Sequence, residues 1–409
     1  MKKILCLIVA VTLIVMSVAC SSIPEGEKEM DKRKQEAEQI FNSMDPDDLY
    51  IEGYDVRQAT KPIYEGNVVY NESVMLVKNK DGSIAPKKLT RYIDKIIAVK
   101  DSSLTVDYVE GEDFTIVDGA ILPTENTRMR VLNYTEMHPQ TGTPGVNVHV
   151  DVNGDYMLYG EYGVFHEKQI WISYISVDDY DGFKPTYKGD LVPLTKQKLN
   201  NKEDFSTLFI GDSITAGANA SGFYNIEPYS PRYSNMVVDA LNEIFGMNIS
   251  HKNIAVGGKD TRWGIEKAQL QTIADTKADL FVIAFGMNDG VRRYSKEEYK
   301  SNIQKMIDTA REANPDTEII LIGAMMGNSL AVYMDYTYGA GYQPEYREVL
   351  QQLEEENEAT IFVDVTSMHL DLLEKKEFMD MTGNNLNHPN DFMMRVYAQC
   401  ILTTLVGEY

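Results

Sequence analysis

Residues 209–217 read Phe-Ile-Gly-Asp-Ser-Ile-Thr-Ala-Gly, and the apolar run Leu208-Phe209-Ile210 stops at Gly211-Asp212-Ser213. A serine at such a break either caps the helix that follows or stands as a nucleophile at the carboxyl edge of a sheet. Three other blocks favour the nucleophile. Asn253-Ile254-Ala255-Val256-Gly257-Gly258 ends a second strand-like run. A third, Asp279-Leu280-Phe281-Val282-Ile283-Ala284-Phe285, runs into Gly286-Met287-Asn288-Asp289. Near the C-terminus, Gly383-Asn384-Asn385-Leu386-Asn387-His388 supplies an imidazole just ahead of a helical pattern. These residues suit acyl transfer. A serine nucleophile needs a base within hydrogen-bond reach, and the tetrahedral oxyanion needs preorganised donors. The N–H groups of Ser213 and Gly258 and the Asn288 amide supply three, and the missing Cβ at Gly258 lets backbone approach a substrate. Asp212 and Asp289 read as hydrogen-bonding groups that hold the loops.

The elements that must position this set follow from periodicity. Strand-like runs fall at 206–210, 248–256, 279–285, 318–325 and 359–365. Amphipathic helical patterns lie between and after them, at 231–245, 261–275, 295–313, 344–357 and 391–407. Alternation of this kind predicts a parallel, doubly wound α/β sheet. Ligands bind such sheets beyond the carboxyl ends of the strands. Arg262 and Trp263 follow Gly258 closely and are candidate pocket residues, with core packing and a surface ion pair as the alternatives. The long Gly- and Tyr-rich segment 326–346 follows the fourth strand at the same edge, and Tyr336 in it is a candidate for stacking on a substrate.

The first half has a different pattern. Short β-type runs over 46–195 flank turn signals at Asp81-Gly82 and Asn153-Gly154. They predict a β-sandwich or jelly roll. Asp151, Asn153 and Asp155 lack the glycine and glutamate positions of a calcium loop and read as turn residues. The histidines at 138, 149, 166, 251 and 369 show no metal-ligand spacing. No metal or cofactor is expected.

Lys2 and Lys3, an apolar run from Ile4 to Met16 and small residues up to Cys20 describe an export signal. Its end resembles a bacterial lipoprotein signal, with Cys20 as the lipidated first residue of the mature chain. The expected organisation is a signal at 1–19, a charged tether at 20–45, the β-sandwich at 46–195, a linker at 196–204 and the α/β domain at 205–409. The expected location is the cell surface or periplasm, membrane-anchored through Cys20. Cys400, the cysteine left after Cys6 and Cys20, sits in an apolar helical pattern and reads as a core residue. A net charge of −23 argues against nucleic-acid binding.

The four blocks, in this order, resemble the SGNH (GDSL-like) hydrolase family, with Ser213, Gly258, Asn288 and His388 at its four namesake positions. The resemblance covers 205–409. It implies a flavodoxin-like three-layer fold and ester hydrolysis without metal or cofactor. The preceding β-domain is similar to the arrangement of carbohydrate esterase family two. That implies removal of acetyl groups from a polysaccharide, with a small ester as the simpler substrate. The family usually places an aspartate three residues before the histidine; here that position is Asn385. Asn385, Asp391 or a backbone carbonyl is expected to orient His388. A non-catalytic glycan binder is the alternative that Asn385 favours.

Overall fold

The computed structural model describes residues 25–332 and 342–409. The signal at 1–19, Cys20 and Tyr336 lie outside the described residues. Among the described residues no helix is long and apolar enough to cross a membrane.

The segment expected as a tether is, from Glu25, a docked helix, α1 (Glu25–Ser43). Arg33 pairs with Asp94 at 2.8 Å and Asp178 at 2.6 Å. Ala37, Ile40, Phe41 and Met44 bring a helically spaced apolar stripe onto Val68, Tyr70 and Ile175. The charged composition belongs to the outer face of this helix. Strands β1 (Val68–Val74), β2 (Lys95–Lys100), β3 (Asn147–Val150), β4 (Tyr156–Tyr159) and β5 (Ile170–Ile175) follow. Strand β5 lies between β1 and β2, antiparallel to both. The Asn153-Gly154 turn joins β3 and β4 into an antiparallel hairpin. Within it the Asp151 carboxylate accepts the N–H groups of Asn153 and Asp155 at 2.8 and 2.9 Å, the work of a turn residue. The hairpin expected around Asp81-Gly82 does not extend: Leu76–Val77 pairs in parallel with Val131–Leu132.

The region is β-rich, yet its ladders close one three-stranded sheet and three two-stranded pieces among the described residues, where two full sheets were expected. The reason is what covers the central sheet. Val68, Tyr70 and Ile175 pack under α1, while Val69, Val74, Ile172 and Tyr174 join the core of the C-terminal half. Packing partners on both faces leave no need for a second sheet. Residues 196–204, expected as a linker, begin inside a helix, α2 (Pro193–Asn201). Glu318 accepts the first-turn N–H groups of Leu194 and Thr195 at 2.9 and 2.6 Å, fixing its start.

The C-terminal half is the doubly wound sheet. Its elements are β6 (Ser206–Gly211), α3 (Ser213–Ala216), α4 (Tyr233–Phe245), β7 (Ser250–Asn253), β8 (Leu280–Ala284), α5 (Lys296–Ala313), β9 (Glu318–Ile322), α6 (Tyr342–Glu356), β10 (Thr360–Val363) and α7 (Asp391–Val406). The strand order is β7-β6-β8-β9-β10, all parallel. Alternate residues face opposite cores. Leu208, Ile210, Phe281, Ile283, Ile319 and Leu321 pack on α5 and α6. Phe209, Val282, Ile320 and Ile361 pack on α4 and α7. Both faces are therefore buried, which is why these strands read as continuous apolar runs.

Every residue of α7 from Asp391 to Leu405 is buried. The parallel sheet covers one side, and the N-terminal half covers the other. On that second side Arg395 donates to the carbonyls of Tyr70 and Asn71 at 2.5 and 2.7 Å. Close by, Lys376 Nζ meets Glu72 Oε1 at 2.6 Å, and neither side chain has any exposure. Glu72 also accepts from Thr90 and Tyr174. The two halves thus share a core and a fully buried Lys376–Glu72 pair. Replacing Lys376 by Met leaves Glu72 charged and uncompensated, at a cost of about 3–5 kcal/mol. Urea unfolding of Lys376→Met reads this directly; a loss below about 1 kcal/mol would contradict it.

Candidate active site

Strand β6 ends at Gly211, and α3 starts at once. A Cβ at Gly211 would collide with the Ala284 carbonyl and the Thr215 hydroxyl, so only glycine lets β6 and β8 close up here. The Asp212 carboxylate accepts the Ile214 N–H at 2.9 Å and caps α3. Ser213 is therefore the first helical residue, and its own N–H has no partner within the helix. Its side chain is not the cap. Burial pushes Asp212 up to about 6 against its backbone hydrogen bonds.

The Ser213 Oγ lies 2.9 Å from His388 Nε2. His388 Nδ1 lies 3.3 Å from Oε2 of Glu161. Glu161 stands two residues beyond the end of β4, in the N-terminal half. Its other oxygen accepts from Tyr159 at 3.0 Å and from Asn384 at 2.9 Å. Burial alone would raise the Glu161 carboxyl. The hydrogen bond and charge of His388, with the amides of Asn384 and Asn219, outweigh it and hold the group down at about 2. A carboxylate facing Nδ1 keeps the proton there, so Nε2 presents its lone pair to the serine hydroxyl. His388 is 14% and Glu161 21% exposed at the side chain, and Ser213 is buried. All three side chains are thus largely shielded from water.

The histidine loop is held by its own chain. The Asn384 carbonyl oxygen accepts the N–H groups of Leu386, Asn387 and His388 at 2.9, 3.0 and 3.1 Å. Asn384 thus shapes the loop with one end of its amide and holds Glu161 with the other. Asn219 adds its amide 3.3 Å from His388 Nδ1.

The oxyanion candidates sit opposite. Gly258 has φ +73°, and a Cβ there would meet nothing within 4 Å, so this position needs glycine for its backbone and faces open space. Its neighbour Gly257 lies against Ser213. Arg292 donates to the Gly258 carbonyl at 3.0 Å, and one N–H of the Asn288 amide donates to the Lys259 carbonyl at 2.8 Å. The second N–H of that amide remains for a ligand. Asp289 accepts from Thr261 through both its N–H and its hydroxyl, and burial pushes it up to about 7. Asp212 and Asp289 hold loops, as their positions suggested.

The remaining candidates stand elsewhere. Asn385 does not orient His388: its amide donates to the Leu158 carbonyl at 3.0 Å and its oxygen faces Asn328, which ties the loop to β4. Asp391 is turned away as well, accepting the Ser221 N–H at 2.8 Å and facing His166 at 3.8 Å. Arg262 is a surface residue paired with Glu298 and laid over the Tyr294 ring at 3.9 Å. Trp263 packs edge-on against Phe285 in the second core. Both took the alternatives weighed for them. Glu161 was missed because no local pattern marks it; the one clue was negative, the missing acid ahead of His388.

A hydroxyl, an imidazole and a carboxylate thus stand in series at the carboxyl edge of a doubly wound sheet, an arrangement able to activate a serine hydroxyl. Residues 209–396 match the model of the GDSL-like lipase/acylhydrolase family. Over 116 residues, 28% of this chain, it is 29% identical to an arylesterase from Vibrio mimicus. The chain spans about half of that relative's length, 53%. Among solved structures, an acetylxylan esterase from Geobacillus stearothermophilus is 21% identical with a TM-score of 0.39, covering 50% of this chain and 95% of that one. A two-domain esterase active on acetylated mannans is 18% identical with a TM-score of 0.40, covering 53% of each.

If Glu161 orients His388, Glu161→Gln lowers kcat for p-nitrophenyl acetate by roughly 10²–10⁴-fold with little change in KM, by analogy with loss of a triad carboxylate. Glu161→Asp restores part of it. An undiminished kcat in Glu161→Gln would remove the residue from the site.

Proposed function

We propose that this chain hydrolyses O-acyl esters through an acyl-enzyme on Ser213. One observation carries the reading: the unbroken series from Ser213 Oγ through His388 to the Glu161 carboxylate. Ser213 Oγ attacks the ester carbonyl while Nε2 of His388 takes its proton. The charge on the tetrahedral oxygen falls to the N–H groups of Ser213 and Gly258 and the free N–H of Asn288. Collapse expels the alcohol, which receives the proton from His388. Water then attacks the acyl-enzyme by the same route and releases the acid and Ser213. Glu161 stays ionised and stabilises the imidazolium formed in each half-reaction.

The substrate we propose is an O-acetyl ester on an extracellular polysaccharide. What supports this is the sequence: an N-terminal stretch over 1–19 that reads as an export signal, followed by Cys20, through which we propose the chain is anchored to the membrane by lipid, and a Tyr-rich segment after the fourth strand. A polymer outside the cell fits an enzyme tethered there. The glycan-binder alternative rested on Asn385, and the carboxylate it lacked is supplied by Glu161.

Hydrolysis of p-nitrophenyl acetate and of acetylated xylan by the wild type and by Ser213→Ala tests both levels. The reading predicts turnover of both substrates and a loss of at least about 10³-fold on removing Oγ. Turnover of the small ester alone would leave a short-chain esterase without sugar preference. A wild-type rate no higher than that of Ser213→Ala would end the esterase reading.

A further inference from the structure

Glu161 is not alone at the Nδ1 edge of His388. Asn219 Nδ2 lies 3.3 Å from Nδ1, the same distance as Glu161 Oε2. Asn219 stands two residues past Gly217, which ends the short helix carrying Ser213. Its φ is +69°, a conformation that asparagine tolerates better than most residues. On the histidine loop, a Cβ at Gly383 would collide with the Asn219 Cβ, so the two loops close up only because that residue is glycine. Asn219 is 4% exposed, and its buried Oδ1 has no hydrogen-bond partner among the described residues. A buried amide with an unpaired oxygen is placed for its N–H groups. Those N–H groups border two acceptors, Nδ1 of the imidazole and the Glu161 carboxylate.

Which acceptor takes the amide N–H depends on where His388 carries its proton. The productive tautomer carries it on Nδ1. The imidazole and the amide then present two donors to each other across 3.3 Å, and neither bonds to the other. The carboxylate lies beside both and accepts from both. The amide is then a second hold on Glu161, from the nucleophile's own loop, that keeps the carboxylate in front of Nδ1. Without the carboxylate the arrangement inverts. The amide N–H is left with the Nδ1 lone pair, a bond that requires the imidazole proton to sit on Nε2. An Nε2–H pointing at Ser213 Oγ, 2.9 Å away, cannot accept the serine's proton.

We propose that Asn219 is a positioning residue that makes activation of Ser213 conditional on the N-terminal half. With Glu161 in place its amide holds the carboxylate on Nδ1–H. With Glu161 gone the same amide locks His388 in the tautomer that cannot take the serine's proton. The effect on rate rests on the ester-hydrolase reading; the tautomer does not.

The test removes the amide from the full chain in two backgrounds. Asn219→Gly suits the left-handed backbone and takes away the side chain without strain. In the wild type it is expected to lower kcat for p-nitrophenyl acetate about 3- to 10-fold with KM unchanged, and in Glu161→Ala the same change is expected to raise kcat about 3- to 10-fold. A role confined to stability gives no such reversal. Asn219→Asp in Glu161→Ala returns a carboxylate to the Nδ1 edge and should raise kcat further than Asn219→Gly does. Proton and ¹⁵N NMR of labelled histidine read the tautomer: Glu161→Ala should carry the His388 proton on Nε2. An effect of Asn219→Gly that has the same sign in both backgrounds, no effect in either, or an Nδ1–H tautomer in Glu161→Ala overturns the proposal. A wild type inactive on the ester instead defeats the esterase reading, and the tautomer in Glu161→Ala then decides this proposal by itself.

Discussion

A single hydrogen bond, 3.3 Å between His388 Nδ1 and Glu161, sets the terms for the rest of the structure. The serine and histidine come from the doubly wound half, and the carboxylate comes from the β-rich half before it. An imidazole without a partner at Nδ1 can carry its proton on either nitrogen, and only one tautomer leaves Nε2 free to accept from Ser213. The neutral amide of Asn385 stands where an acid would be expected, and it is spent on the Leu158 carbonyl. That amide holds the donor loop and β4 together, so Asn385 positions the strand that delivers the replacement acid.

Such a bond demands that the two halves behave as one body. Helix α7 is buried all round because each half covers one side of it. Arg395 on that helix is bonded to the backbone of β1, and Lys376 is buried against Glu72 of the same strand. Buried pairs of this kind add little net stability, but breaking one is costly. Their consequence here is a fixed relation between β1 and α7, whose first turn lies three residues past His388. Docked helices at Glu25–Ser43 and Pro193–Asn201 close the two places where a flexible joint was expected.

The parts of this arrangement that are local in the chain are legible in the sequence. The parallel strands were found within a few residues because burial on both faces makes each a continuous apolar run. Ser213, Gly258, Asn288 and His388 stand out in the sequence because strand-end chemistry is written in short blocks. Tether and linker were misjudged because polar composition describes the solvent face of a docked helix as well as it describes a loose segment; only the stripe of Ala37, Ile40 and Phe41 separates the two. Glu161 could not be read at all. It depends on packing against a residue 227 positions away, and a Gly-Glu-Tyr-Gly turn carries no mark of what lies against it.

The central claim, that a carboxylate from the N-terminal half holds the proton of the His388 imidazole, is open to direct observation. Histidine labelled with ¹⁵N, with a His388→Gln variant to assign the signal, gives the Nδ1–H resonance of His388 by proton NMR. The account predicts a strongly downfield, exchange-protected signal in the wild type that disappears in Glu161→Ala. The same signal surviving in Glu161→Ala, or an Nδ1–H already in free exchange with water in the wild type, would contradict it.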